Sequence, residues 1–196
     1  MNHLAHLYLS RTQPQLMIGN FIADEVKGKN FQQYPPIISQ GIVMHRAIDH
    51  FTDTHAITLH TRNIFRSKFR LYSGVLVDMM YDHVLAKNWS RFHDEPLEQF
   101  AAESYAVLDS FEKQMPEFSV FFLNRMKHYN WLSMYATEQG IDSVIRSMAK
   151  RINKEGQFDE AIEVYRQHQL EIDDDFFNFF HLLQQHVESY TTIDYE

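Results

Sequence analysis

The segment GVLVDMMYDHVLAKNW, residues 74–89, constrains the fold of this chain more than any other stretch. Read at 3.6 residues per turn it is apolar nearly all round: Leu76, Met80 and Val84 fall on one side, Leu85 and Trp89 almost opposite. A helix without a polar face has to be enclosed by other elements, so the spacing predicts a central buried helix over 73–90. Asp78, Asp82 and His83 interrupt it. An unpaired carboxylate in such surroundings costs several kcal/mol, so these groups must be paired, neutralised or engaged by a metal.

The remainder of the chain supplies helices to enclose it. Sixteen Phe and ten Tyr against six Gly and five Pro leave few turn signals, which favours long helices over many short strands. The expected fold class is therefore all-α, a single-domain helical bundle over residues 1–196. Helices are expected near 37–54, 56–71, 95–114, 117–128, 138–152, 158–168 and 174–190, with Pro35 and Pro36 opening the first of them. Gly19 and Gly28 bracket NFIADEVK, which reads as a short helical turn or two.

A net charge of −8 and a pI near 5.8 argue against a nucleic-acid partner, whose phosphates call for a basic surface. With no cysteine, disulfides, zinc ribbons and thiol catalysis are excluded, and a metal would find only nitrogen and oxygen ligands. MNHLAHLYLS lacks the basic region of a signal peptide, and no apolar run approaches the ~18 residues of a membrane span. The expectation is a cytoplasmic protein without a membrane partner.

Histidines are unevenly placed. Those at 3, 6, 45, 50, 55, 60 and 83 share the first part of the chain with Asp24, Asp49, Asp53, Asp78 and Asp82. Imidazole with carboxylate, and no sulfur, suits manganese, iron, zinc or magnesium. His45 with Asp49, and Asp78 with Asp82, are i,i+4 pairs that aim two side chains at one point. Each feature also has a plainer reading. His45 and Asp49 can be a surface helix pair, Asp78 and Asp82 a solvated edge, Asn20 a helix cap, and His3 and His6 core histidines satisfied by carbonyls. His50, His55 and His60 recur every five residues, which is no helical face, and read as surface groups. The chain has no Walker-type phosphate loop, no G-x-G-x-x-G, no G-x-S-x-G and no H-E-x-x-H. It also has no Glu-x-x-His, which a ferritin-like di-iron bundle would need. TRNIFRSKFR, residues 61–70, carries Arg62, Arg66, Lys68 and Arg70 without an acid, as a solvated face or as a docking patch for an acidic partner.

Four motifs, NHLAHL at 2–7, GNFIAD at 19–24, GIVMHRAIDHFTD at 41–53 and DMMYDHVLAKNW at 78–89, together resemble the acyl-carrier-protein phosphodiesterases of bacteria. Beyond residue 90 the resemblance thins to compatible length, helical pattern and bulky aromatics such as Trp131. It implies hydrolysis of holo-acyl carrier protein, releasing phosphopantetheine and restoring the serine. It also implies a fold related to the HD phosphohydrolases with permuted motif order, since the adjacent pair here is Asp82-His83. The implied cofactor is a manganese-type divalent cation, with magnesium, iron or cobalt as alternatives. Such a cation binds a phosphoryl oxygen and lowers the pKa of water, which phosphodiester hydrolysis requires. On that reading Asp24, His45, Asp82 and His83 are the expected ligands, and Asp49 and Asp78 orient them or take the water proton. His6 is expected to protonate the leaving serine oxygen, Asn20 and Arg46 to contact phosphate, and Arg62 and Arg66 to dock the acidic carrier. Two other readings stay open: an HD-like hydrolase of a small phosphorylated metabolite or nucleotide, and a non-catalytic helical binding protein whose His/Asp groups form a structural network.

Overall fold

Helices make up all the regular structure of residues 1–191, the part of the chain that this computed structural model describes; among the described residues there is no strand. In order they are α1 (His3–Leu9), α2 (Pro14–Ile22), α3 (Pro36–Thr54), α4 (Ala56–Phe69), α5 (Ser73–Lys87), α6 (Leu97–Ser110), α7 (Glu117–Tyr129), α8 (Trp131–Met134), α9 (Glu138–Arg151), α10 (Ala161–Gln167) and α11 (Gln169–Thr191). None of the described helices is long and apolar enough to cross a membrane.

The apolar helix read from the sequence is α5, and it is central. Leu76, Met80, Tyr81, Val84 and Leu85 are fully buried, and the helix is enclosed by α1, α4, α9 and α11. Burying each large apolar side chain stabilises the fold by about 1.5–3 kcal/mol, so a helix buried on every side anchors the whole assembly. The expected helices at 56–71, 73–90 and 95–114 are shorter than their periodicity suggests, because tight 3-10 turns at Arg70–Tyr72, Trp89–Arg91 and Glu112–Gln114 take over their ends.

The N-terminal region differs most from expectation. Periodicity assigned no helix to residues 3–9, yet α1 forms there; seven residues are too few to show a period. Its start is held instead by caps, the Asn2 side chain accepting from the His3 N–H at 2.9 Å. Helix α2 begins at Pro14 and runs through Gly19, which reads as a breaker in the sequence. Gly19 and Gly41 mark the place where α2 and α3 cross with their backbones nearly touching. A Cβ on Gly19 would lie 2.0 Å from the Ile38 carbonyl oxygen, and one on Gly41 would lie 2.3 Å from that of Leu16. In the C-terminal part the short α8 was not expected, and the segment expected as 158–168 is helical only from Ala161. Helix α11 then starts at Gln169, ahead of the expected 174.

Candidate functional site

The close crossing of α2 and α3 sets Asn20, one residue past Gly19, against His45, four residues past Gly41. Asn20 is fully buried. Its Nδ2 donates to the His6 carbonyl oxygen at 3.2 Å, which leaves Oδ1 to accept from two imidazoles, His6 Nδ1 at 2.8 Å and His45 Nδ1 at 3.1 Å. With Nδ1 carrying the proton on both rings, both Nε2 lone pairs face the other way. The rings stack with centroids 4.2 Å apart.

What the two Nε2 atoms face is carboxylate. His6 Nε2 lies 3.1 Å from Asp49 Oδ1, and His45 Nε2 lies 3.0 Å from Asp49 Oδ2 and 3.4 Å from Asp24 Oδ1. Despite those distances His45 Nε2, which is buried, has no hydrogen bond of acceptable geometry. Lone pairs and carboxylate oxygens converging on one small volume repel unless a proton or a cation lies between them. The titration behaviour expresses this. Burial works against charge on His45, but the carboxylates of Asp24 and Asp49 raise it to about 9. Burial likewise works against the Asp49 anion, but His45 and His6 hold that carboxyl below its usual range. The neighbouring His45 is the main cause that lowers Asp24. Burial and the neighbouring His45 lower His6, opposed by Asp49. His6, His45 and Asp49 form a group able to hold a metal ion, each offering a ligand atom within 4.8 Å of the others. The donor set, nitrogen and oxygen with one lone pair per imidazole, fits a divalent cation.

This cluster lies in the wall of a cleft of about 770 Å³, which His3, Asp53, Asp78, Tyr135 and Trp131 also line. The His3 ring sits 4.8 Å from that of Phe122, and burial lowers its pKa to about 4, so it is neutral near pH 7.

Of the residues singled out in the sequence, the structure brings His6, Asp24, His45 and Asp49 together and holds Asn20 behind them. It does not bring Asp82 or His83 to the cluster. Asp82 is fully buried and accepts from the N–H groups of Asn2 at 3.2 Å, Leu4 at 2.7 Å and Ala5 at 3.3 Å, so it caps α1. Burial pushes its carboxyl up to about 7, opposed by the Met1 ammonium and these N–H groups. His83 Nδ1 donates to the Tyr135 carbonyl oxygen at 2.6 Å and its ring meets Tyr165 edge-on. Adjacent residues on a helix point about 100° apart, so Asp82 and His83 reach different neighbours. Asp78 lines the cleft with its Oδ1 2.8 Å from the Met1 amino nitrogen, and burial raises its pKa. Arg46 does not line the cleft. It donates to the carbonyls of Gly28 at 2.8 Å and Val26 at 2.6 Å and so ties down the loop that follows Asp24. Arg62 rests near Ser73, its Nε 3.4 Å from Oγ, and neither it nor Arg66 lines the cleft. The lysine and arginine side chains that do are Arg125, Lys150 and Arg151, from the part of the chain where the sequence motifs fade.

An all-α chain with a convergent His/Asp cluster in an open cleft has the makings of a hydrolase. The chain belongs to the acyl carrier protein phosphodiesterase family, whose model matches residues 1–183. An acyl carrier protein phosphodiesterase of Salmonella dublin is 34% identical over 77% of this chain and 79% of its own. One of Photorhabdus laumondii is 28% identical over 96% of both chains, and one of Salmonella newport is 33% identical over 77% of this chain and 79% of its own. No solved structure matches the chain.

Proposed function

We propose that this protein hydrolyses the phosphodiester of holo-acyl carrier protein, releasing phosphopantetheine and leaving the carrier with a free serine hydroxyl. Family membership supports the reaction class. The observation that carries the chemistry is the Asn20 fork, which turns two imidazole lone pairs onto the carboxylates of Asp49 and Asp24. His6, His45, Asp49 and Asp24 are the residues that would hold a divalent cation, manganese being the ion that the family resemblance implies. Bound there, the cation supplies Lewis acidity toward the phosphoryl oxygen and makes hydroxide available near neutral pH.

The residues of the chain do the rest. Asn20 fixes the tautomer and angle of both histidines. Asp78, which lines the cleft with a raised pKa and a contact to the Met1 amino group, is the candidate to accept the proton from the attacking water. The water oxygen forms the new P–O bond as the P–O bond to the serine breaks, and the serine oxygen takes a proton from solvent while Asp78 gives up the one it accepted. His6 is assigned to the ligand set, because Asn20 holds its Nδ1 and its Nε2 faces Asp49 within the cluster. Asp82 and His83 are left out, being engaged by the start of α1 and by Tyr135.

The test is to incubate the protein with holo-acyl carrier protein and Mn(II) and to record the mass of the carrier. Loss of the phosphopantetheine mass, blocked by a chelator and restored by Mn(II), is the expected result. A carrier of unchanged mass would sink the proposal.

A further inference from the structure

We infer that the acidic protein substrate docks at the mouth of the cleft between α7 and the end of α9, through Arg125, Lys150 and Arg151. The inference deepens the proposed function and rests on it for the identity of the substrate. Its basis is position: most lysines and arginines have no ion-pair partner among the described residues, but only these three line the cleft. In a chain of net charge −8, Lys68, Lys87, Lys127, Arg146 and Arg166 are each held by a carboxylate. Arg125, Lys150 and Arg151 are exposed and line the cleft, and none has an ion-pair partner among the described residues. They set positive charge on one side of an opening whose other wall carries Asp24, Asp49, Asp53 and Asp78.

Arg125 adds a second feature. Its guanidinium lies over the rings of Phe121 and Tyr129, and Phe118 and Phe121 are 50% and 56% exposed beside it. Aromatic side chains interleaved with arginine are the composition of protein interfaces, where they anchor contacts that cations alone leave loose. A small anion would need the charge but not this exposed apolar margin.

The competing account is that Lys150 and Arg151 only complement the carbonyl end of α9, where both stand in the last turn. That account gives no reason for Arg125, which comes from another helix and lies ahead of the last turn of α7. The run at 61–70 is a poorer docking surface. Lys68 is paired with Glu160, Arg62 rests against Ser73, and none of the run lines the cleft.

Two measurements test the inference on the intact chain. The first is the affinity for apo-acyl carrier protein, which has no phosphodiester to cleave, by fluorescence anisotropy at low and high salt. Docking through exposed cations is screened over about 8 Å at physiological ionic strength, so R125E/K150E should bind roughly tenfold more weakly at low salt and lose most of the salt dependence. The control K29E/K113E makes the same charge change at exposed sites outside the cleft and should bind within about twofold of the parent. The second is kcat/KM for holo carrier against that for bis(p-nitrophenyl) phosphate. R125E/K150E should lower the first far more than the second. Equal binding by the two double variants, or equal falls on both substrates, would overturn the inference. A parent that binds apo carrier but never cleaves holo carrier would instead overturn the proposed function and leave the docking surface standing.

Discussion

Helices α3 and α5 each carry acids and a histidine at helical spacing, and the fold uses them for opposite purposes. On α3, His45 and Asp49 lie along the border of an amphipathic helix, so their ends open onto the cleft while Met44 and Ile48 are buried. On α5, Asp78 and Asp82 belong to a helix buried on nearly every side, and both reach the start of α1, one at the Met1 amino group and the other at backbone N–H groups. In both helices the i,i+4 spacing does aim two carboxylates or imidazoles at a common point. What stands at that point differs: a set of converging lone pairs in one case, the positive end of a short helix in the other. Spacing alone therefore detects that a pair has a target, and burial of the side chain itself separates the structural Asp82 from Asp78, which also lines the cleft.

The difference can be broken by exchanging effects. Asp49→Asn removes an anion from the cluster and should cost turnover of holo carrier about a thousandfold, or about 4 kcal/mol in the barrier, while the thermal midpoint stays near that of the parent. Asp82→Asn should do the reverse. An amide presents a donor to N–H groups that need acceptors, so the fold should lose about 2–4 kcal/mol by denaturant titration, with activity per folded molecule retained. If Asp49→Asn unfolds the protein and Asp82→Asn leaves it stable but inactive, the assignments of the two helices are interchanged.

A smaller effect sharpens the role of the α2–α3 crossing. Gly41→Ala puts a methyl group 2.3 Å from a backbone oxygen that cannot turn away, so α2 and α3 must separate. The expected cost is about 1–3 kcal/mol of stability, accompanied by loss of activity beyond what the unfolded fraction explains, since Asn20 moves with α2. Asn20→Ala leaves every ligand in place and frees only their orientation. Mn(II) affinity should fall about 10–100-fold, the usual consequence of losing a group that orients metal-binding histidines. Unaltered affinity would mean that the histidines hold their angle without the fork.

Much of this was legible in the sequence, and the failures have physical causes. The scarcity of Gly and Pro and the all-round apolar segment at 74–89 are enough to read an all-α chain with a central helix. His6, Asp24, His45 and Asp49 stand in the motifs that carry the family resemblance. Asp82 as a cap was not legible, because what it caps is a seven-residue helix with no detectable period, 78 positions from it at Leu4. Nor was the role of Asn20, because a single fully buried amide serving two rings depends on a crossing that only Gly19 and Gly41 permit. The cationic side of the cleft comes from α7 and α9, where side chains on separate helices meet without any shared spacing in the sequence.

The open cluster of His6, His45, Asp49 and Asp24 is proposed to hold the divalent cation, and the buried Asp82 of α5 is not. Mn(II) binding to the purified protein, followed by the electron paramagnetic resonance signal of the free ion, tests it in the parent, His45→Ala and Asp82→Asn. A saturable site in the parent that disappears in His45→Ala and persists in the folded fraction of Asp82→Asn is the predicted result. Binding that survives His45→Ala but vanishes from folded Asp82→Asn would contradict it.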